Sequence, residues 1–298
     1  MIVWIAKNLS IPVMNMLGSI CSAVDFSVGE MALLTPLVLI AAAVAGAIVC
    51  RKRRKAAARF AKPAIGVICA FLLSYALIWL PLSTYSRFDG EYARPEPEGL
   101  YIMSIEFIQK ANEQREYYSP QLEFVASRVA DDLYDLTGRK SVIKTSRMPW
   151  WMRKLSLAGI CLPWSGEAVV RPDIPAVALP FVMAHEGAHQ IGYGPEAEAN
   201  YAAYMALEGD DKLNYSATMY ALYYSLDALR TLEPAYYNGA VSAMSKAVFD
   251  DYATIAAFSR GKTGAQGAVA EAFLRLSGQS GLDSYGEMVG LLINRPEI

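Results

Sequence analysis

Two stretches of the chain show neither charge nor a polar stripe. Met31–Cys50 reads MALLTPLVLIAAAVAGAIVC, twenty residues, or about 30 Å as a helix, which matches the hydrocarbon thickness of a bilayer. Ala64–Leu82 reads AIGVICAFLLSYALIWLPL, with Trp79 toward one end, where an interfacial aromatic belongs. An amphipathic core helix would show a polar face, so the pattern predicts a transmembrane hairpin over residues 31–83 with spans at about 31–50 and 64–82. Pro36 and Gly46 are tolerable within such helices. Between the spans, residues 51–62 hold Arg51, Lys52, Arg53, Arg54, Lys55, Arg59 and Lys62 and no anion. The positive-inside rule makes this turn a cytoplasmic loop and sends both outer ends of the hairpin to the other side.

Residues 1–30 are apolar in pieces, Ile2–Ile5 and Ile11–Ala23, interrupted by Lys7, Asn8 and Asn15. Lys7 follows the first apolar run, whereas a cleaved signal puts its cation first. The segment reads as an interfacial helix, with a third span as the alternative. After the hairpin, Pro95 and Pro97 with flanking glutamates read as a linker. From Leu100 to Leu136 the period turns helical. Ile102, Ile105, Phe107 and Ile108 share one face, and Leu122, Val125, Val129, Leu133 and Leu136 form a second run that Gly138 stops. Residues 155–171 contain β-favouring runs broken by Pro and Gly, which fits a short hairpin or edge strand, with Ser165–Val170 beside the helix that follows. From Ala176 onward the pattern is helix, broken near Gly192–Pro195, Gly209–Asp211, Glu233–Pro234, Gly261–Gly264 and Gly278–Gly281. The fold class is mostly α, with residues 84–298 forming one domain outside the cytoplasm.

Composition narrows the functional classes. With 54% hydrophobic and 19% charged residues the chain has ample apolar surface to fold. Lys and Arg number 27 against 29 Asp and Glu, which argues against nucleic acid as a partner. Residues 84–298 are acidic, with 19 cations against 27 anions. Cys21, Cys50, Cys69 and Cys161 make no CxxC pair, so no structural disulfide is expected in the large domain.

The chain has only two histidines, His185 and His189, and both lie in AHEGAHQIG. Four residues apart on a helix, the two rings project from one face and can converge on a single ion. Glu186, beside the first, can reach a water held at that ion, and the HExxH pattern points to Zn²⁺ with Glu186 as general base. A third ligand is needed. Gly192 and Gly194 end the motif helix, Pro195 opens the next, and Glu196 falls in its first turn with Asn200 one turn on. Glu198 is about 200° round that helix from Glu196 and is the competing choice. Glu196 is preferred because its i+4 neighbour is polar, while that of Glu198 is Ala202. With no histidine left for the oxyanion, Tyr201, Tyr204, Tyr223 and Arg230 are the available donors.

HExxH followed by Glu-x-x-x-Asn resembles the gluzincin metallopeptidases. The longer string HEGAHQIGYGPEAEANYAAYMA resembles a bacterial membrane family known as domain of unknown function 3810, as do VDFSVGE before the first span and SGEAVV before the motif helix. The resemblance implies a zincin-like α+β domain, with His185, His189 and Glu196 as zinc ligands and Glu186 as the catalytic base. The gap between His189 and Glu196 is shorter than in better-known gluzincins, and Asn200 stands where many have Asp.

These observations lead to one expectation and one alternative. The expectation is a zinc metallopeptidase anchored in the bacterial cytoplasmic membrane, acting on polypeptide outside the cytoplasm. The alternative is a non-catalytic membrane sensor or scaffold that keeps a zinc site. Intramembrane proteolysis is disfavoured, because the apolar run AVALPFVMA ahead of His185 is too short to cross a bilayer.

Overall fold

The computed structural model describes residues 1–49, 54–89, 91–118, 124–260 and 287–296. Helix α1 runs as Ile2–Ile5, a π turn over Ala6–Ser10 and Ile11–Cys21. Helix α2 is Val28–Val49; α3 runs as Arg54–Ser74, a π turn over Tyr75–Trp79 and Leu80–Ser83. Val28–Ala45 and Phe60–Ser83 are long and apolar enough to cross a membrane. The basic run Arg54–Lys62, expected as loop, is the first part of α3, while Arg51–Arg53 lie outside the described residues. Nothing in that run breaks a helix: Arg, Lys and Ala are all strong helix formers.

The domain continues with α4 (Pro97–Arg115), α5 (Val125–Thr137), β1 (Ile143–Thr145), α6 (Pro149–Lys154), β2 (Gly159–Leu162) and β3 (Glu167–Val170). Then come α7 (Leu179–Ile191), α8 (Glu196–Glu208), α9 (Asn214–Leu232), α10 (Pro234–Ser242), α11 (Lys246–Arg260) and α12 (Met288–Asn294). The chain is mostly helical with one small sheet. On α5 the buried Val125, Val129 and Leu133 repeat every four residues, and Gly138 terminates it in the left-handed region as expected. On α4 the buried set is Leu100, Ser104, Phe107, Ile108 and Ala111. Of the expected face, Phe107 and Ile108 are buried and Ile105 packs partly buried against the core, while Ile102, 54% exposed, turns outward. The breaks near Gly261–Gly264 and Gly278–Gly281, and Leu122, lie outside the described residues.

All thirteen residues of α7 are buried. A helix buried all round has no solvent face, which is why its sequence lacks a polar stripe outside the motif. It packs on α8 and α5, on one face of the sheet and on the second half of α1. The sheet has the order β1–β3–β2, with β3 parallel to β1 and antiparallel to β2. The expected edge strand Ser165–Val170 is therefore the central strand. The reason is β1, a three-residue strand too short to show a period, which pairs with β3 on its far side.

The first thirty residues are also part of this packing. Ile11 and Met14 cluster with Trp79, Leu82 and Cys161. The Glu167 carboxylate accepts hydrogen bonds from Ser27 Oγ and from the Val28 and Gly29 amides, and pairs with Lys144 Nζ at 2.8 Å. A fully buried acid thus holds the start of α2 to the sheet. VDFSVGE and SGEAVV, far apart in sequence, meet here. Cys21, Cys69 and Cys161 are free thiols.

Candidate metal centre

His185 and His189 lie one turn apart on α7, their ring centroids 4.5 Å from each other. The turn after α7 brings the third group. Gly192 takes φ +110°, a conformation that disfavours any side chain, while the Tyr193 amide donates back to the Ala188 carbonyl (3.0 Å). The chain reverses, and α8 starts at once with Glu196 facing α7. Glu196 Oε2 is 3.1 Å from His185 Nε2 and its Oε1 is 3.5 Å from His189 Nε2. One ligand atom from each of the three residues lies within 4.8 Å of the others, and all three residues are buried. Among the two candidate carboxylates, the structure brings Glu196 to the histidines and turns Glu198 elsewhere.

The ring of His189 is fixed by its neighbours. Its Nδ1 lies 2.7 Å from the Tyr193 carbonyl, which can only accept, so Nδ1 carries the proton and Nε2 faces Glu196. Trp79, near the end of α3, packs edge-on against the same ring at 5.2 Å between centroids. Burial favours the neutral imidazole, but the charge of Glu196 outweighs it and lifts His189 above its usual value. Burial alone would likewise raise Glu196; the two histidines hold it far below the usual carboxylate range.

Glu198 does different work. Its carboxylate accepts from Ser86 Oγ (2.5 Å), the Arg87 amide (2.9 and 3.0 Å), the Phe88 amide (3.3 Å) and the Tyr92 hydroxyl (3.2 Å). It anchors the chain leaving α3, as Glu167 anchors the chain entering α2. Burial leaves its carboxyl above the ordinary value despite these donors. Gln190, next to the second histidine, accepts from the Val142 amide (2.6 Å) and donates to the Gly166 carbonyl, joining β1 to the β2–β3 turn.

His185 and Glu186 line a cleft of about 1260 Å³. Glu186 lies against the first residue of β2, where a Cβ on Gly159 would come within 2.5 Å of the Glu186 Cγ and 2.7 Å of its Oε1. Only glycine leaves that space, so β2, an edge of the sheet, is the strand that reaches the motif acid. The remaining walls include Phe181, Asn200, Tyr220, Tyr223 and Tyr224. Tyr92–Pro95 also line the cleft, so the expected linker is one of its walls. The Ala93 amide donates to the Gly290 carbonyl there (3.2 Å).

Of the four donors proposed from sequence, Tyr223 alone lines the cleft. Tyr201 donates to the Pro296 carbonyl (2.9 Å), Tyr204 to Glu208 (2.7 Å), and Arg230 pairs with Asp227 (2.6 Å). Sequence reasoning missed Tyr220 and Tyr224. Burial, together with Tyr220, Tyr223 and Glu196, holds the Tyr224 phenol well above its ordinary value, so it keeps its proton. The i, i+3, i+4 spacing of Tyr220, Tyr223 and Tyr224 was the available signal.

Two imidazoles and a carboxylate, with one tautomer pinned, form a donor set suited to a divalent cation of borderline softness. No curated protein and no solved structure matches the chain. A family model described as "Protein of unknown function (DUF3810)" matches residues 7–293, nearly the whole length, and the chain belongs to that family.

Proposed function

We propose that the protein is a membrane-anchored, zinc-dependent peptidase that hydrolyses polypeptide on the side of the membrane opposite the basic turn of its hairpin. The observation that carries this reading is the convergence of His185, His189 and Glu196 beside a cleft that Glu186 also lines. His185, His189 and Glu196 would hold the zinc. When bound, such a cation supplies Lewis acidity, lowering the pKa of a water and polarising a carbonyl. Glu186 accepts the proton of the attacking water and delivers it to the leaving amine as the C–N bond breaks. The protonated phenol of Tyr224 and the Tyr223 hydroxyl offer donors to the carbonyl oxygen as charge develops on it. Asn200, one turn beyond Glu196, lines the same wall as Tyr224 and joins that wall to the helix that carries Glu196.

The test compares the full-length protein with Glu186→Gln in detergent, by elemental analysis and by cleavage of unfolded casein. The expected result is equal zinc content and a loss of turnover of about 10²-fold or more, the scale of a general base. Equal turnover in both proteins overturns the role of Glu186. Zinc without turnover in either would favour the sensor or scaffold reading.

A further inference from the structure

Four of the chain's five tryptophans gather where the apolar hairpin meets the domain. Trp151 Nε1 donates to Glu30 Oε1 (3.0 Å) and Trp164 Nε1 to the Gly29 carbonyl (3.2 Å), both in the first turn of α2. The Trp164 ring also lies 4.7 Å from that of Phe71 on α3, and Trp79 sits near the end of α3. The fourth, Trp150, adjoins Trp151 on the short helix α6 and is 48% exposed. Leu155, just past that helix, is 45% exposed. Cations lie at the margins: Lys154 Nζ is 5.8 Å over the Trp150 ring, and the Arg147 guanidinium is 5.8 Å over the ring of Phe26, just ahead of α2. Exposed indole and leucine with Lys and Arg at their margins, fixed to the first turn of an apolar helix, have the composition of a headgroup-level surface. Rings settle at the interface there, and long cationic side chains reach phosphate.

We propose that the strip Arg147–Leu155 lies on the phospholipid headgroups around the hairpin and brings the mouth of the cleft to the bilayer surface. Chain continuity makes the connection. Arg153 and Ser156–Gly159, the direct extension of the strip, form a wall of the cleft, and Gly159 lies against Glu186. The peptide bonds that reach Glu186 are then those held close to the membrane. This last step rests on the peptidase reading and names its substrate class as the juxtamembrane segments of membrane-tethered polypeptides.

The full-length protein is reconstituted in vesicles of phosphatidylcholine and phosphatidylglycerol, with or without lipids brominated on shallow acyl carbons. The emission of Trp150 is isolated as the difference between parent and Trp150→Phe, two proteins matched by circular dichroism. The expected component is blue-shifted and loses most of its intensity to brominated lipid. A component that emits as water-exposed indole and ignores the brominated lipid overturns the proposal. This measurement needs no turnover, so it stands apart from the peptidase reading. In a second arm, unfolded casein is offered free or coupled to a phospholipid in the same vesicles. Cleavage about tenfold or more faster for the coupled form is expected from effective concentration at the surface. Equal rates would overturn the juxtamembrane step. Absence of cleavage in both, with quenching retained, would count against the peptidase reading and leave the lipid contact supported.

Discussion

Glu196 and Glu198 are separable by mutation, because the structure gives them unrelated partners. In Glu198→Ala, four donors lose their acceptor: the hydroxyls of Ser86 and Tyr92 and the amides of Arg87 and Phe88. Hydroxyls can turn to another acceptor, but the two amides are fixed by the backbone. An unsatisfied buried amide costs about 1–3 kcal/mol, so the pair costs roughly 2–4 kcal/mol once partial access to water is allowed. At about 2–4 °C per kcal/mol for a chain of this size, the midpoint of thermal unfolding falls by roughly 5–15 °C. Glu198→Gln keeps one acceptor oxygen and recovers part of that loss. Zinc content at saturating metal stays that of the parent in both variants, since neither touches the histidines. Glu196→Ala gives the reverse pattern, zinc lost and the metal-free unfolding temperature less affected. The assay is thermal unfolding by circular dichroism on metal-free full-length protein, followed by elemental analysis after zinc is restored. Zinc retained by Glu196→Ala, or lost from a Glu198→Ala protein that unfolds like the parent, would refute the reasoning.

Three further outcomes follow from the same geometry. Chelation should lower the unfolding midpoint of the parent but not that of His189→Ala; a ligand at a hundred times its Kd contributes about 2.7 kcal/mol, and an equal response in both proteins would count against the site. Glu167→Gln should destabilise by about 3–5 kcal/mol, because the buried Lys144 loses its counter-charge, and Lys144→Met combined with Glu167→Gln should recover much of it. Burial opposes ionisation of Glu167, but Lys144, the Gly29 amide and Ser165 outweigh it and hold the carboxyl low. Its contribution is therefore complete above the ordinary glutamate value of about 4.3 and lost as pH falls through the lowered one, which a pH series of unfolding midpoints below pH 5 reads against Glu167→Gln. Asp132 behaves oppositely: burial first, and then the charge of Asp210, push it up to about 7 against Arg128. Stability is greatest below the ordinary value of about 3.9 and declines as pH rises through 7, a slope that Asp132→Asn should flatten in the same series.

What the sequence made legible depended on whether the determinant was local. Two histidines four apart, a glycine in the left-handed region at residue 192 and a carboxylate in the next first turn are all short-range features, and the structure brings them together. The competition between Glu196 and Glu198 was decided by Ser86, Arg87, Phe88 and Tyr92, more than a hundred positions away, which no local spacing encodes. β1 escaped for a related reason. Ile143–Thr145 is too short to show alternation, and it becomes a strand through β3 and through the side chain of Gln190 on α7. Turn chemistry makes Pro95 and Pro97 read as a linker, and Pro97 opens α4. Nothing in its composition says that Tyr92–Pro95 wall a cleft.

The same long-range contacts bear on how the hairpin relates to the centre. A simple tether would join the domain without packing against its core. Here Trp79 packs on the ring of His189, Ile11 and Met14 cluster with Trp79 and Leu82, and Gly166, in the turn that Gln190 holds, lies against Met14 and Gly18. Two buried acids fix the hairpin at its two ends, Glu167 at the start of α2 and Glu198 after the end of α3, and Glu198 is two residues from the candidate ligand Glu196. A change in how α2 and α3 sit would therefore act on α7 and α8 directly, through side chains already in contact with His189 or with the helix that carries Glu196. The domain-side ends of the hairpin and the three metal-ligand candidates pack together, so the placement of His189 depends on residues that sequence alone assigns to the membrane.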